Sequence, residues 1–267
     1  MPLKNNMRIE FCLPIYNEET ILADSTQKLY DFLSAQNFPF VWQIVIVING
    51  SSDSSPLIAK KLSLEYSDKI KFADGSEPGR GQALKRYWLT SSADIFVYMD
   101  IDLAVSLEAI PQLIQPILNG DYQLAVGSRL LPDSKIERSF IRELSSQTYN
   151  FLSRLLFKHR LSDMQCGFKA ISRSAFVAIA PYLQDPHWFF DTEMIIISRA
   201  LGYKIKEIPV NWQENRYDQR KSKVKLLNDS IKMFMSLAKL RGRINKIPKI
   251  TAKDQETGQK NAKNDYI

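Results

Sequence analysis

Asp100 and Asp102 stand one residue apart at the end of an apolar run, Ile95-Phe96-Val97-Tyr98-Met99. Two like charges that close cost free energy unless a cation sits between or beside them. Hard carboxylate oxygens suit Mg²⁺ or Mn²⁺, and one or two carboxylates plus substrate phosphates commonly hold such an ion. A turn and helix cap before Leu107 is the plain structural alternative for the same pair. Gly79-Arg80-Gly81-Gln82-Ala83 lacks the Gly-Lys-Ser/Thr ending of a P-loop and the full G-x-G-x-x-G spacing. At the start of a helix it can still present backbone N–H groups to a diphosphate. The two histidines, His159 and His187, are far apart and follow no metal spacing, which argues against a zinc site or a Ser-His-Asp triad.

The elements that must position these residues alternate along the chain. Residues 8–14, 41–48, 70–73, 95–99 and 123–127 read as strands, and 18–34, 54–66, 79–90 and 107–118 as helices. Ile21, Leu22, Leu29, Phe32 and Leu33 carry the helical spacing, and the β-branched run at 41–48 a buried strand. Such alternation predicts an α/β fold, a mainly parallel sheet covered by helices on both faces. Ligands then bind beyond the carboxyl ends of the strands. Pro14-Tyr16-Asn17, Asn49-Gly50, Asp100/Asp102 and Ser128-Arg129 all fall there. Beyond Arg129 the reading is an amphipathic helix at 145–160 with basic residues among aromatics, a loop into a strand at 163–172, helices at 174–181 and 191–201, and a strand at 204–210. A basic amphipathic helix over 224–241 places Val224, Leu227, Ile231, Phe234 and Ala238 on one face and Lys225, Lys232, Lys239 and Arg241 largely off it.

The 267 residues are 45% hydrophobic and 24% charged, enough for one domain over 1–250, followed by a polar tail, 251–267, expected to be disordered. Cys12 and Cys166 read as reduced thiols of a cytoplasmic protein. The sequence shows no signal-peptide pattern and no apolar run near the roughly 18 residues of a spanning helix. The net charge is +7, but residues 203–249 hold 13 Lys/Arg against 4 Asp/Glu, so the rest of the chain is net −2. A basic section on a near-neutral body points to an anionic partner or to a solvated helix face.

Read together, the motifs resemble a known family. Pro14-Ile15-Tyr16-Asn17-Glu18-Glu19, Asn49-Gly50-Ser51-Ser52-Asp53, Gly79-Arg80-Gly81-Gln82-Ala83 and Asp100-Ile101-Asp102 form an ordered series similar to that of the family 2, GT-A-fold glycosyltransferases. Gly127-Ser128-Arg129, Arg138-Ser139 with Arg142, the run from Asp163 to Lys169, Trp188 to Glu193, Pro209 to Trp212 and Ser222-Lys223-Val224 resemble the dolichyl-phosphate glucosyltransferase and polyprenyl-phosphate sugar synthase branch. The likeness covers about residues 8–241. It implies a GT-A fold with a mixed, mainly parallel sheet.

The resemblance also implies roles. Pro14, Tyr16 and Glu18 would line the base and ribose, with Asn49 and Asp53 in the adjoining turn. Asp100 and Asp102 would hold Mg²⁺ or Mn²⁺ on the sugar-nucleotide diphosphate. Arg129 and Arg142 would sit by the donor or acceptor phosphate, and Gln165 would border sugar and acceptor. Asp191 and Glu193 would organise the acceptor side, and Arg220, Ser222 and Lys223 would close over the diphosphate. Ile48-Asn49 stand where many members carry an acidic residue, and Ala104 where mannose-phosphate relatives often carry Gln. The QCGFK and FDTE forms favour the glucosyl-like branch.

The expected reaction moves a hexose from a nucleotide-sugar, UDP-glucose-like before GDP-mannose, to a polyprenyl or dolichyl phosphate with inversion. A lipid phosphate is already an anionic nucleophile at neutral pH and needs no strong base, so the absence of a catalytic histidine is no obstacle. The expected partners are the nucleotide-sugar, the lipid phosphate and an anionic membrane surface or a membrane-anchored protein, with attachment peripheral on the inner face. Nucleic acid is not an expected partner, because the basic section carries no recognised motif. The alternative is a soluble family 2 transferase with a sugar or small-molecule acceptor, for which Asp191 or Glu193 would serve as base.

Overall fold

The computed structural model describes residues 7–75, 77–137, 140–213 and 226–247. Its centre is a seven-stranded sheet built from β1 (Arg8–Ile15), β2 (Val41–Ile48), β3 (Ile70–Ala73), β4 (Ile95–Met99), β5 (Leu124–Ser128), β7 (Phe168–Ser172) and β8 (Ile205–Pro209) in the order β3-β2-β1-β4-β7-β5-β8. Every neighbouring pair is parallel except those of β7, which runs antiparallel between β4 and β5. β6 (Lys135–Glu137) and β9 (Asn211–Gln213) form a separate parallel pair.

Alternate residues of each strand face opposite sides of the sheet, and this splits the core in two. Ile9, Phe11, Leu13, Ile44, Ile46, Ile48, Val97 and Met99 join one hydrophobic cluster, together with Leu29 and Leu33 of α1 (Leu22–Ala35), Leu62 of α2 (Ser55–Glu65) and Leu113 of α4 (Ile110–Leu118). Cys12, Val45, Val47, Phe96 and Tyr98 join the other. There they meet Leu84 and Trp88 of α3 (Arg80–Thr90), Phe176 of α6 (Arg173–Ile179) and Ile195 of α7 (Phe190–Ala200). The chain thus covers both faces of a mixed, mainly parallel sheet, as the alternation predicts. The aromatic rings of Trp88 and Phe96 stack at 5.3 Å, and Trp88 Nε1 donates to the buried Cys12 Sγ at 3.2 Å.

α5 (Phe140–Phe157) and α8 (Leu226–Ile244) pack against each other. Of the apolar stripe expected on the last helix, the side chains of Phe234 and Ala238 are described. Leu237 and Leu240 are its buried residues among those described, Phe234 is half-buried and Ala238 is exposed. α5 and α7 are the helices that α8 packs against. Lys232, Lys239 and Arg241 are exposed, as expected. The polar tail and the segment of Arg220, Ser222 and Lys223 lie outside the described residues.

Candidate active site

The sheet order brings the candidate residues to one edge. β1, β2, β4 and β5 end there, and β7, being antiparallel, begins there, so the loop 163–167 that precedes it is delivered to the ends of β4 and β5. Asp100 follows β4 directly. Its N–H donates to Gly167 O at 3.1 Å, and a Cβ on Gly167 would stand 2.0 Å from Asp100 Oδ2. Glycine is therefore required for this contact. Asp102 Oδ1 accepts from Ala104 N at 3.2 Å, and Leu103 between them is held at φ 49°, a left-handed conformation that leucine adopts at a cost. The turn expected as the plain alternative is thus present, and the Asp100 carboxylate still stands 41% exposed at its start.

Arg80, the first residue of α3, reaches this carboxylate with Nη2 3.0 Å from Asp100 Oδ1 and 3.8 Å from Asp191 Oδ2. Burial alone would lower its pKa, but Asp100, Asp191 and Asp102 outweigh burial and hold it above its usual value. Arg80 is a fixed cation. The guanidinium lies over the rings of Tyr98, at 5.0 Å, and Trp188, at 4.8 Å. Gly81 beside it leaves no room for a side chain, because a Cβ would meet Phe190 Cβ at 2.4 Å. That contact seats the start of α3 on the start of α7.

Asp191 is buried and pairs with Lys169 Nζ at 2.9 Å. Burial opposes charge on both partners, pushing the carboxyl up to about 7 against the pull of Arg80 and the ammonium down to about 7. Lys169 is fully enclosed and also donates to Cys166 O and, at 3.4 Å, to Tyr98 Oη.

Arg129, at the end of β5, grips Asp163 through Nε–Oδ2 at 2.7 Å and Nη2–Oδ1 at 3.0 Å. Asp163 also accepts from Arg129 N and Gln165 N. Burial would raise this carboxyl, but the guanidinium and the N–H donors bring it down to about 2. Arg129 lies over Trp212 at 5.8 Å. It also lines a cleft of about 670 Å³ with Leu130, Leu131, Ile136, Phe151 and Arg154.

On the other side of the edge, the ends of β1 and β2 are stitched together. Asn17 Oδ1 accepts from Ser52 N at 2.8 Å, Glu19 Oε2 from Ser54 N at 2.8 Å and Asp53 from the N–H groups of Glu19 and Ser55. Burial raises the Asp53 carboxyl, and these bonds, with the Ser55 side chain, more than reverse it. Pro14 is the penultimate residue of β1, Tyr16 is 41% exposed just beyond, and Glu18 is buried. Asn49 is buried with Oδ1 accepting from Gly79 N at 3.4 Å, which ties the β2 turn to the start of α3.

Two further expected residues have partners within the protein. Glu193 lies 2% exposed on α7, with Oε2 accepting from Gln184 N and Asp185 N at 2.8 Å each and Oε1 paired with Arg243 of α8. Both oxygens bind protein groups, so the structure gives Glu193 the work of a clamp between a loop and a helix. Gln165 turns its amide to Met233 Sδ at 3.1 Å on α8. Arg142 is carried by α5, and its side chain lies outside those described. Sequence reasoning assigned no role to Arg80 or Lys169. Gly-Arg-Gly before a helix was the signal for the first. The second is an ammonium in a strand otherwise apolar, Phe168-Lys169-Ala170-Ile171, which is costly to bury without a partner.

Among the described residues no three His, Cys, Asp or Glu cluster as a metal cage. The pair Asp100 and Asp102 offers two hard carboxylates, one of them open to solvent, without nitrogen or sulfur donors. That donor set fits Mg²⁺ or Mn²⁺ completed by water and phosphate oxygens rather than zinc.

Comparison with known proteins agrees with this architecture. The family described as Glycosyl transferase family 2 matches residues 10–179. Glycosyltransferase AglD of Haloferax volcanii is 34% identical over 250 residues, covering 92% of this chain and 39% of that protein. The dolichyl-phosphate beta-glucosyltransferase of Saccharomyces cerevisiae is 30% identical over 249 residues, covering 86% of this chain and 72% of the relative. The chain therefore spans about two fifths of the first relative and nearly three quarters of the second. Glucosyl-3-phosphoglycerate synthase of Mycobacterium tuberculosis, solved with Mg²⁺ and UDP, shares the fold with a TM-score of 0.65 at 19% identity, over 88% of this chain and 80% of that one.

Proposed function

The chain belongs to glycosyl transferase family 2, in the branch of the dolichyl-phosphate beta-glucosyltransferases, and we propose that it transfers a hexose from a nucleotide-sugar, UDP-glucose in kind, to the phosphate of a polyprenyl or dolichyl lipid. The observation that carries this reading is the meeting of Asp100 and Asp102 with Arg80 and Arg129 at one edge of the sheet, beside a cleft with apolar walls. An acceptor phosphate oxygen attacks C1 of the hexose on the face opposite the diphosphate. The new C1–O bond forms as the bond to the diphosphate breaks, and the anomeric centre inverts. A divalent cation held by Asp100 and Asp102 would neutralise charge growing on the leaving diphosphate.

The remaining steps belong to the chain's own side chains. Tyr16, Pro14, Glu18, Asn49 and Asp53 form the base and ribose side. Arg129, held flat by Asp163, and Arg154 bring positive charge to the cleft where the lipid phosphate docks. Leu130, Leu131, Ile136 and Phe151 offer its first isoprene units an apolar wall. Gln165 borders this acceptor side, with Asp191 and Glu193 supporting it from α7. Asp191 is paired and buried and Glu193 is bonded at both oxygens, which favours an acceptor that is already anionic over a hydroxyl that needs a base.

No helix among the described residues is long and apolar enough to cross a membrane. Phe151 and Leu155 are 59% and 65% exposed on α5 and are accompanied by exposed Arg154 and Lys158. This face suits an anionic bilayer surface, where the acceptor resides.

The test is transfer by the purified full chain with a short polyprenyl phosphate, Mg²⁺ or Mn²⁺, and a panel of UDP- and GDP-sugars. The expected result is a metal-dependent lipid-linked hexose formed from UDP-glucose. Failure to form a lipid-linked sugar from any donor, with nucleotide binding intact, would sink the acceptor assignment.

A further inference from the structure

Glu207 lies on β8, the edge strand parallel to β5, beside Val126 in the register. Its Oε1 accepts three hydrogen bonds from a single turn: from Ser162 N at 2.7 Å, Ser162 Oγ at 2.6 Å and Asp163 N at 3.3 Å. Residues 158–167 form neither helix nor strand, so the backbone N–H groups of this stretch need partners from elsewhere. One carboxylate oxygen supplies two of them.

Two arms lead from that oxygen, and both end at Arg129. The first runs through Asp163. Glu207 holds its N–H, and its own carboxylate grips the guanidinium through Nε–Oδ2 at 2.7 Å and Nη2–Oδ1 at 3.0 Å. The second arm runs through hydroxyls. An ionised carboxylate can accept but not donate, so the Ser162 hydroxyl proton points at Glu207. Ser128 Oγ, 2.6 Å from Ser162 Oγ, must then donate to it, and accepts in turn from Leu130 N at 3.2 Å. The order of donors and acceptors is thereby fixed from Glu207 to the residue that follows Arg129. A hydroxyl that donates to an ionised oxygen makes a short, strong bond, in line with the 2.6 Å of Ser162.

Arg129, Leu130 and Ser162 line the same cleft. An arginine that is held in place beforehand loses less freedom when an anion arrives. A shift of the 162–163 turn moves Asp163 and, through the fork, the guanidinium. We propose that Glu207 is a positioning residue for acceptor binding, holding this turn so that Asp163 aims Arg129 at the anionic head of the acceptor. This rests on the acceptor reading of the cleft given above.

The test is equilibrium binding by calorimetry on the full chain, with farnesyl phosphate, farnesol and, as a control for the donor side, UDP with Mg²⁺. Glu207→Ala is expected to weaken farnesyl phosphate by roughly tenfold while leaving farnesol and UDP within about twofold. The alcohol carries no anion for Arg129 to meet, so a cleft that has merely loosened would weaken both lipids alike. Two conservative variants separate reach from charge. Glu207→Gln keeps an acceptor oxygen at the same reach and should stay within about threefold of wild type. Glu207→Asp keeps the charge but is one methylene short of the turn, and should fall toward Glu207→Ala; where the alanine variant does not fold, the aspartate variant stands in for it. Equal weakening of farnesol or of UDP, unchanged binding of farnesyl phosphate, or full binding by Glu207→Asp with loss in Glu207→Gln would each overturn the positioning role while the acceptor reading stands. A wild type that binds UDP but does not prefer farnesyl phosphate to farnesol would overturn the acceptor reading, and this role with it.

Discussion

Two arginine–aspartate pairs stand on the same edge of the sheet and have opposite characters. Arg129 and Asp163 meet fork to fork at 2.7 and 3.0 Å, and the carboxylate, fully enclosed, collects two backbone N–H groups as well. Arg80 and Asp100 meet at 3.0 Å without a hydrogen bond, the arginine is shared with Asp191, and the aspartate is 41% exposed. In the first pair the carboxylate is filled within the protein, and its work is to hold the Arg129 guanidinium at the cleft. In the second the carboxylate has acceptor capacity left over. A carboxylate whose valences are filled by the fold is scaffold, and one whose valences are left open is where a ligand belongs.

The strongest way to break this comparison is to remove the anion of the filled pair. Asp163→Asn leaves Arg129 buried beside a neutral group and should cost about 3–5 kcal/mol in chemical denaturation. The same pair sets an acid limit. Asp163 has its folded pKa lowered from 3.8 to about 2, so its contribution is present above the unfolded value and is lost as pH falls from 3.8 through about 2. In the asparagine variant that acid step should vanish from the curve of stability against pH. Retention of wild-type stability would mean that the pair is not scaffold.

Asp100→Asn should do the reverse. Its exposed carboxylate contributes on the order of 1 kcal/mol or less to folding, while transfer should fall by about 10²-fold or more through lost charge stabilisation at the diphosphate. A large drop in the unfolding midpoint with transfer retained would erase the distinction between the two pairs.

Gly167→Ala sharpens it further. The added methyl would stand 2.0 Å from Asp100 Oδ2, so the carboxylate must move. The expected cost is about 1–3 kcal/mol of stability from overpacking, with a fall in Mn²⁺ affinity, read by water-proton relaxation, that Asp163→Asn measured below its unfolding transition does not share. Unchanged Mn²⁺ binding would separate the Asp100 position from the cation.

Much of the scaffold was legible in local pattern. The run 41–48 matches β2, the run 95–99 matches β4, and Gly79-Arg80-Gly81 opens α3 as expected. Burial on both faces of a parallel sheet writes itself into consecutive apolar residues, and a glycine pair marks a helix start. The three-residue strands β6 and β9 were not read, because three residues carry no period and each is stabilised by its distant partner. On α8 periodicity finds an apolar arc, and the packing helices choose which part of it is covered: Leu237 and Leu240 are buried and Ala238 is exposed.

Contiguous residues and the chemistry of their side chains are enough to end a mainly parallel sheet in Asp100 and Asp102. Which charges these residues meet depends on the assembled sheet. It slots β7 antiparallel between β4 and β5, and so brings Lys169 to Asp191, Asp163 to Arg129 and Gly167 against Asp100. It also brings Glu193 to Arg243. The physical reason is distance. Propensity and period act over a few residues along the chain, whereas Coulomb attraction and hydrogen bonding act over a few ångströms in space, between positions that only the finished sheet makes neighbours.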